Sequence, residues 1–122
     1  MMRASSLLVL ALLTGEIAHA EVTQASWYSV ESCRREGTSG ITASGERLLD
    51  VGYTCASWDY PLGTVLRVSY NSRIVEVTVN DRGPSKRLYR LGRRLDLSKR
   101  AFSELAPLER GVITVQIERV DN

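Results

Sequence analysis

Histidine is nearly missing from this chain. The one copy, His19, lies within the first twenty residues, and the other 102 positions hold none. Beyond residue 20 the chain therefore cannot assemble a Ser-His-Asp or Cys-His nucleophile, nor a histidine-based metal site. No metal and no cofactor is expected. Long apolar runs are missing too: the only continuous one, residues 7–13, is far too short to span a bilayer as a helix. The 122 residues leave no room for a separate cofactor domain, so one domain is expected. Linkers, repeats and low-complexity segments are absent.

The N-terminus reads as a secretory signal. Met1-Met2-Arg3 is a short basic start, residues 7–13 form an apolar centre, and Ala18-His19-Ala20 puts small residues at the two positions a signal peptidase reads. Cleavage is expected between Ala20 and Glu21, leaving residues 21–122 as a single exported domain, periplasmic or extracellular. No cysteine follows the apolar run, so neither a lipid anchor nor stable membrane insertion after cleavage is expected. In an exported chain an even cysteine count reads as a disulfide, here between Cys33 and Cys55. It would contribute about 3 kcal/mol in the chain-entropy model.

Short strands separated by turn residues argue for a compact, mostly β domain. Residues 24–29 begin it, and residues 30–45, polar and rich in Gly, Ser, Thr and Arg, read as a long loop held by Cys33. Residues 65–70 form a strand, Asn71-Ser72 a hairpin connection. Residues 74–80 give the clearest strand, with Val75, Val77 and Val79 alternating against Glu76, Thr78 and Asn80. Asp81-Arg82-Gly83-Pro84 ends that strand. Residues 95–97 are a short strand, and Ser98 caps a helix over residues 99–105 that turns Ala101, Phe102 and Leu105 inward. Residues 111–120 form the last strand. About six strands and one or two short helices suggest a small closed barrel.

Three carboxylates stand beside turns or strand ends: Glu46 after the Gly45 turn, Asp81 after the best strand, and Asp96 between Leu95 and Leu97. Asp59 lies between Trp58 and Tyr60. Carboxyl groups for proton transfer and ring faces for stacking are what a glycan site needs. Each also has an ordinary structural reading. Asp81 can bond nearby backbone N–H groups in its turn, Asp96 can cap the next helix or pair with an arginine, and Glu46 and Asp50 can be solvated surface charges. Residues 82–100 hold eight basic residues, Arg82, Lys86, Arg87, Arg90, Arg93, Arg94, Lys99 and Arg100, against Asp96 alone. With a net charge of only +2 and an exported location, this suits an anionic wall polymer or a solvated loop rather than nucleic acid.

Taken together, Ala25-Ser26-Trp27-Tyr28, Thr42-Ala43-Ser44-Gly45-Glu46, Pro61-Leu62-Gly63-Thr64, Val79-Asn80-Asp81-Arg82-Gly83-Pro84, Leu95-Asp96-Leu97-Ser98 and Gly111-Val112-Ile113-Thr114-Val115 resemble, in order, the rare lipoprotein A (RlpA)-like family of septal-ring lytic transglycosylases. The resemblance extends over residues 24–119 and, more distantly, to expansin and barwin-like domains. It implies a six-stranded double-psi β-barrel that cleaves peptidoglycan glycan strands between N-acetylmuramic acid and N-acetylglucosamine. No water is consumed, and the product carries a 1,6-anhydro end. By motif position it implies Asp81 as acid/base and Glu46 as the second essential carboxylate, with Asp50 near the groove. Thr42, Tyr28 and Arg82 are expected to contact substrate. Where the family reads Ala-Ala-His, this chain reads Cys55-Ala56-Ser57, so Ser57 with Trp58 and Asp59 is expected to supply that part of the groove. A monomer acting on peptidoglycan glycan strands is expected. A non-catalytic, expansin-like wall-binding module and a secreted effector or inhibitor on the same barrel are the alternatives.

Overall fold

The computed structural model describes residues 20–120. The expected signal segment, apart from Ala20, lies outside the described residues. Six strands, β1 (Glu21–Tyr28), β2 (Thr54–Ala56), β3 (Val65–Tyr70), β4 (Arg73–Asp81), β5 (Arg93–Ser98) and β6 (Ile113–Arg119), close into a barrel in the order β1-β5-β2-β4-β3-β6. β1 runs parallel to β5 and β2 parallel to β4, while the remaining pairs are antiparallel. Closure pairs every strand on both sides and so removes sheet edges. This is the mostly-β, six-stranded double-psi barrel that the family resemblance implies, and the small closed barrel that the strand pattern suggests.

Alternation builds the interior. Val75 and Val77 of β4 stand opposite Val68 and Leu66 of β3, and all four point inward. Leu95 and Leu97 of β5 and Ile113, Val115 and Ile117 of β6 complete the core. Each such side chain, fully buried, stabilises the fold by roughly 1.5–3 kcal/mol. The β3–β4 hairpin turns at Asn71, whose φ of 55° is a left-handed value that asparagine tolerates.

Three short helices flank the barrel: α1 (Val30–Arg35), α2 (Lys86–Arg90) and α3 (Lys99–Leu105). α3 matches the expectation in detail. The Ser98 hydroxyl accepts the Ala101 N–H, and Ala101, Phe102 and Leu105 are buried against the strands. α1 replaces the first part of the expected loop over residues 30–45. Ser29 and Ser32 form a reciprocal capping box, and an Asp50 carboxylate oxygen accepts the Val30 N–H at 2.8 Å.

The expected Cys33–Cys55 disulfide is corrected by the structure, in which both are free thiols. Cys55 stands opposite Val79 and Leu97 and faces the barrel interior. Cys33 sits on α1, on the outer side of the barrel wall. The strand backbone between the two faces keeps them from meeting. The polar segment over residues 30–45 is pinned by the capping box and Asp50, not by a covalent bridge.

Candidate functional site

Two β-bulges shape the outer face of the barrel. Between β2 and β4, Cys55 pairs with Val79 but Ala56 pairs with Asp81, so Asn80 is an extra residue. Simple alternation from Val75, Val77 and Val79 would point Asp81 into the core. The bulge turns it outward, onto the face of Ala56. A bulge that re-aims a side chain is a common device beside functional sites. The second lies between β1 and β5, where Gln24 pairs with Arg93 and Ala25 with Leu95, leaving Arg94 as the extra residue. Arg93 is thereby moved from the face of Leu95 to that of Asp96.

One row of residues now runs across four strands: Ser26 opposite Asp96, Asp96 opposite Ala56, Ala56 opposite Asp81. Asp96 and Asp81 are two strand spacings apart, about 10 Å between backbones. An open groove of about 980 Å³ lies over this row. Its floor includes Ser26, Ala56, Asp81 and Asp96, and Tyr28, Thr42, Trp58 and Arg82 stand along its sides. Gly83 keeps the following loop close to that floor, since a Cβ there would sit 3.3 Å from the Ala56 Cβ.

Asp81 is held from three directions. The Tyr28 hydroxyl donates to Oδ2 at 3.1 Å, and the Ala43 and Arg82 N–H groups donate to Oδ1 at 2.9 Å each. Burial first, and then the Asp81 carboxylate, push the Tyr28 hydroxyl far above its usual range, so it remains a donor. The Arg82 guanidinium turns away and donates to the Ser57 and Tyr60 carbonyls at 2.7 and 2.6 Å. It braces the loop after β2 against the loop after β4.

Glu46 stands beside Asp81's turn rather than on the groove floor. Its Oε1 accepts from the Ser44 hydroxyl at 3.0 Å and from Asn80 Nδ2 at 3.3 Å. Gly45, at a φ of +94°, makes this turn possible, and the Thr42 hydroxyl and N–H both donate to the Glu46 carbonyl. The turn is tied to β4 by the Ser44 N–H, which donates to the Asn80 carbonyl.

Three expected groove residues do other work. Asp50 caps α1. Ser57, where the family resemblance implies a histidine, is 1% exposed, and its hydroxyl accepts the Asp59 N–H. Asp59 lies outside the groove lining, where it accepts from the Tyr89 hydroxyl and faces Arg94 at 3.8 Å. Trp58 does reach the groove. Its indole N–H donates to the Pro84 carbonyl at 2.7 Å, and the Lys86 ammonium sits 4.3 Å from its ring centroid.

The basic run over residues 82–100 does not form one patch. Arg82 braces loops, Lys86 sits on Trp58, Arg94 on Tyr89, and Arg100 pairs with Glu104 at 3.2 Å.

Asp96, one of the three carboxylates that the sequence singles out and the one to which it assigns no role in the site, lies on the groove floor. Its Oδ1 accepts the Ser26 hydroxyl at 3.0 Å, and burial raises its pKa from 3.8 to about 6, against the opposing effects of Ser26 and Arg93. The signal was visible as a lone carboxylate between Leu95 and Leu97. Only the pairing of β5 with β1 and β2 shows that its outward side opens on the groove. Asp96, its carboxyl raised by burial, and Asp81, fixed by three donors, thus face the same groove.

The lytic transglycolase family matches residues 20–117. A probable endolytic peptidoglycan transglycosylase RlpA from Nostoc sp. is 42% identical over 88 residues, covering 70% of this chain and 23% of that protein. The chain spans less than half the length of the curated relatives it matches. Among solved structures, the Streptomyces papain inhibitor aligns with a TM-score of 0.63 at 27% identity, covering 86% of this chain and 97% of its own. An apo expansin of Clavibacter michiganensis aligns with a TM-score of 0.62 at 22% identity, over 85% of this chain and 52% of its own, a likeness of fold. The family match runs from the start of β1 into β6 and takes in every element that builds the groove: the chain belongs to the lytic transglycolase family.

Proposed function

We propose that this protein, once exported, cleaves the glycan strand of peptidoglycan as a lytic transglycosylase, with Asp81 as acid/base. The observation that carries this reading is the Asp81 carboxylate, turned outward by the Asn80 bulge and oriented by Tyr28, Ala43 and Arg82 in an open groove. The relatives' names, which describe peptidoglycan transglycosylases, support the substrate class.

In the reaction a carboxylic acid protonates the glycosidic oxygen, and the bond from that oxygen to the muramic acid C1 breaks. The sugar's own C6 hydroxyl then bonds to C1 and gives its proton back to the carboxylate. No water enters, and the acid is regenerated. In this reading Asp81 serves both proton transfers. Glu46, held by Ser44 and Asn80 beside Asp81, is the second carboxylate, whose negative charge favours the cationic sugar ring. Trp58, 40% exposed at the groove's side, offers apolar ring surface to a sugar.

A second reading, glycan binding without cleavage, draws on Ser57, which puts a buried hydroxyl where the family carries an imidazole. Peptidoglycan sacculi incubated with the purified protein separate the two. Fragments with 1,6-anhydro ends, detected by mass spectrometry, are the expected result. Asp81→Asn keeps the side chain's size and should reduce their release about 100-fold in a folded protein. Sacculi that retain the protein but release no anhydro fragment would replace cleavage with binding alone.

A further inference from the structure

Arg93 lines the groove, yet its Nε–H is buried with no acceptor. Among the described residues no carboxylate lies within ion-pairing distance of its guanidinium. The other arginine of the groove, Arg82, spends its donors on the Ser57 and Tyr60 carbonyls. The bulge at Arg94 is what puts Arg93 on the outward face, in register with Gln24 and on the side of Ser26 and Asp96. A buried donor left without a partner costs roughly 1–3 kcal/mol. The fold bears that cost at a position that faces the groove.

We infer that Arg93 is the anion-reading residue of the groove and takes a carboxylate carried by the glycan itself. This rests on the reading of the groove as a glycan site. A guanidinium meets a carboxylate side-on through Nε and one Nη, two parallel hydrogen bonds in a fixed plane. The Nε–H that has no acceptor within the protein is the donor such a carboxylate would take. The neighbouring charges set what is accepted. Asp96 and Glu36 line the same groove and repel an unpaired anion, so binding depends on direct contact with Arg93 and not on a diffuse positive field. In a strand of alternating N-acetylglucosamine and N-acetylmuramic acid, the lactyl ether of muramic acid supplies one carboxylate per disaccharide when no peptide is attached. A neutral polymer such as chitin or cellulose offers none.

The test is equilibrium binding of the full-length mature protein, carrying Asp81→Asn throughout so that no probe is cleaved and otherwise unsubstituted, to two soluble probes of equal length: peptide-free peptidoglycan glycan strands and chitin oligomers. The unsubstituted protein should favour the carboxylated probe by about tenfold, as a charge-assisted bond implies. Arg93→Gln should abolish that preference, weakening binding of the carboxylated probe about tenfold more than binding of chitin. Arg93→Lys keeps the charge but not the fork, and should retain only part of the preference. Thermal melts on all three proteins identify any variant that fails to fold, and the lysine variant then carries the comparison. A preference that survives Arg93→Gln, or no preference in the unsubstituted protein, overturns the assignment. Anhydro fragments released from sacculi without an Arg93-dependent preference would leave the proposed cleavage standing and remove only this inference. Failure to bind either probe would remove both.

Discussion

Burying Asp96 beneath Ser26 makes its negative form costly, and the sign of that cost can be worked out. The folded value, about 6, lies above the ordinary 3.8, so the native state binds this proton more tightly than the unfolded chain. The associated stability is fully present below about pH 4 and is lost as the pH rises through about 6. Two pKa units correspond to about 3 kcal/mol. Asp96→Asn keeps an acceptor for the Ser26 hydroxyl and removes the charge. At pH 8 the variant should be more stable than the parent by about 1–3 kcal/mol, and at pH 4 the two should be nearly equal. Denaturant unfolding at both values checks this. The same advantage at both pH values would mean that ionisation of Asp96 costs the fold nothing.

α1 shows what holds a six-residue element in place. A helix this short is unstable alone. The ion pairs of Glu31 with Arg34 and Arg35 are exposed and contribute little. What remains is the Ser29–Ser32 capping box and the Asp50 carboxylate on the Val30 N–H. Ser32 and Cys33 line the groove, so these caps also position one of its walls. Asp50→Ala should cost about 1–2 kcal/mol. Amide hydrogen exchange should quicken at Cys33 and Glu36, whose N–H groups donate to Ser29 and Ser32. The amides of β4 should be little changed. Equal acceleration in both places would show that Asp50 supports the whole barrel rather than this helix.

Taken whole, the molecule depends on one cluster of buried side chains joining the six strands to α3. Phe102, the only phenylalanine, is fully buried in it. Phe102→Ala leaves a cavity and should destabilise by about 3–5 kcal/mol, a large share of the roughly 5–15 kcal/mol that holds a small domain folded. Denaturant unfolding followed by tryptophan fluorescence measures it. A loss below about 1 kcal/mol would mean that the barrel core stands without α3. No disulfide shares this burden, since Cys55 is itself part of the core.

Local chemistry was enough to read β4 from its three alternating valines, α3 from Ser98 and its inward face, and the hairpin from Asn71-Ser72. Each of these depends on residues a few positions apart. The ordered motifs likewise brought Asp81, Glu46, Tyr28 and Thr42 into view. β2 was not legible, because Thr54-Cys55-Ala56 is too short to show a period. Nor could spacing show that Ser57 and Asp59 lie outside the groove lining, that Asp50 caps a helix, or that Cys33 sits on that helix while Cys55 faces the barrel interior. Above all, the facing of Asp81 and Arg93 depends on two bulges, each defined only by the partner strand. A strand's own sequence says which side chains alternate. Whether one extra residue shifts that alternation is decided by the strand hydrogen-bonded beside it, which lies tens of residues away along the chain.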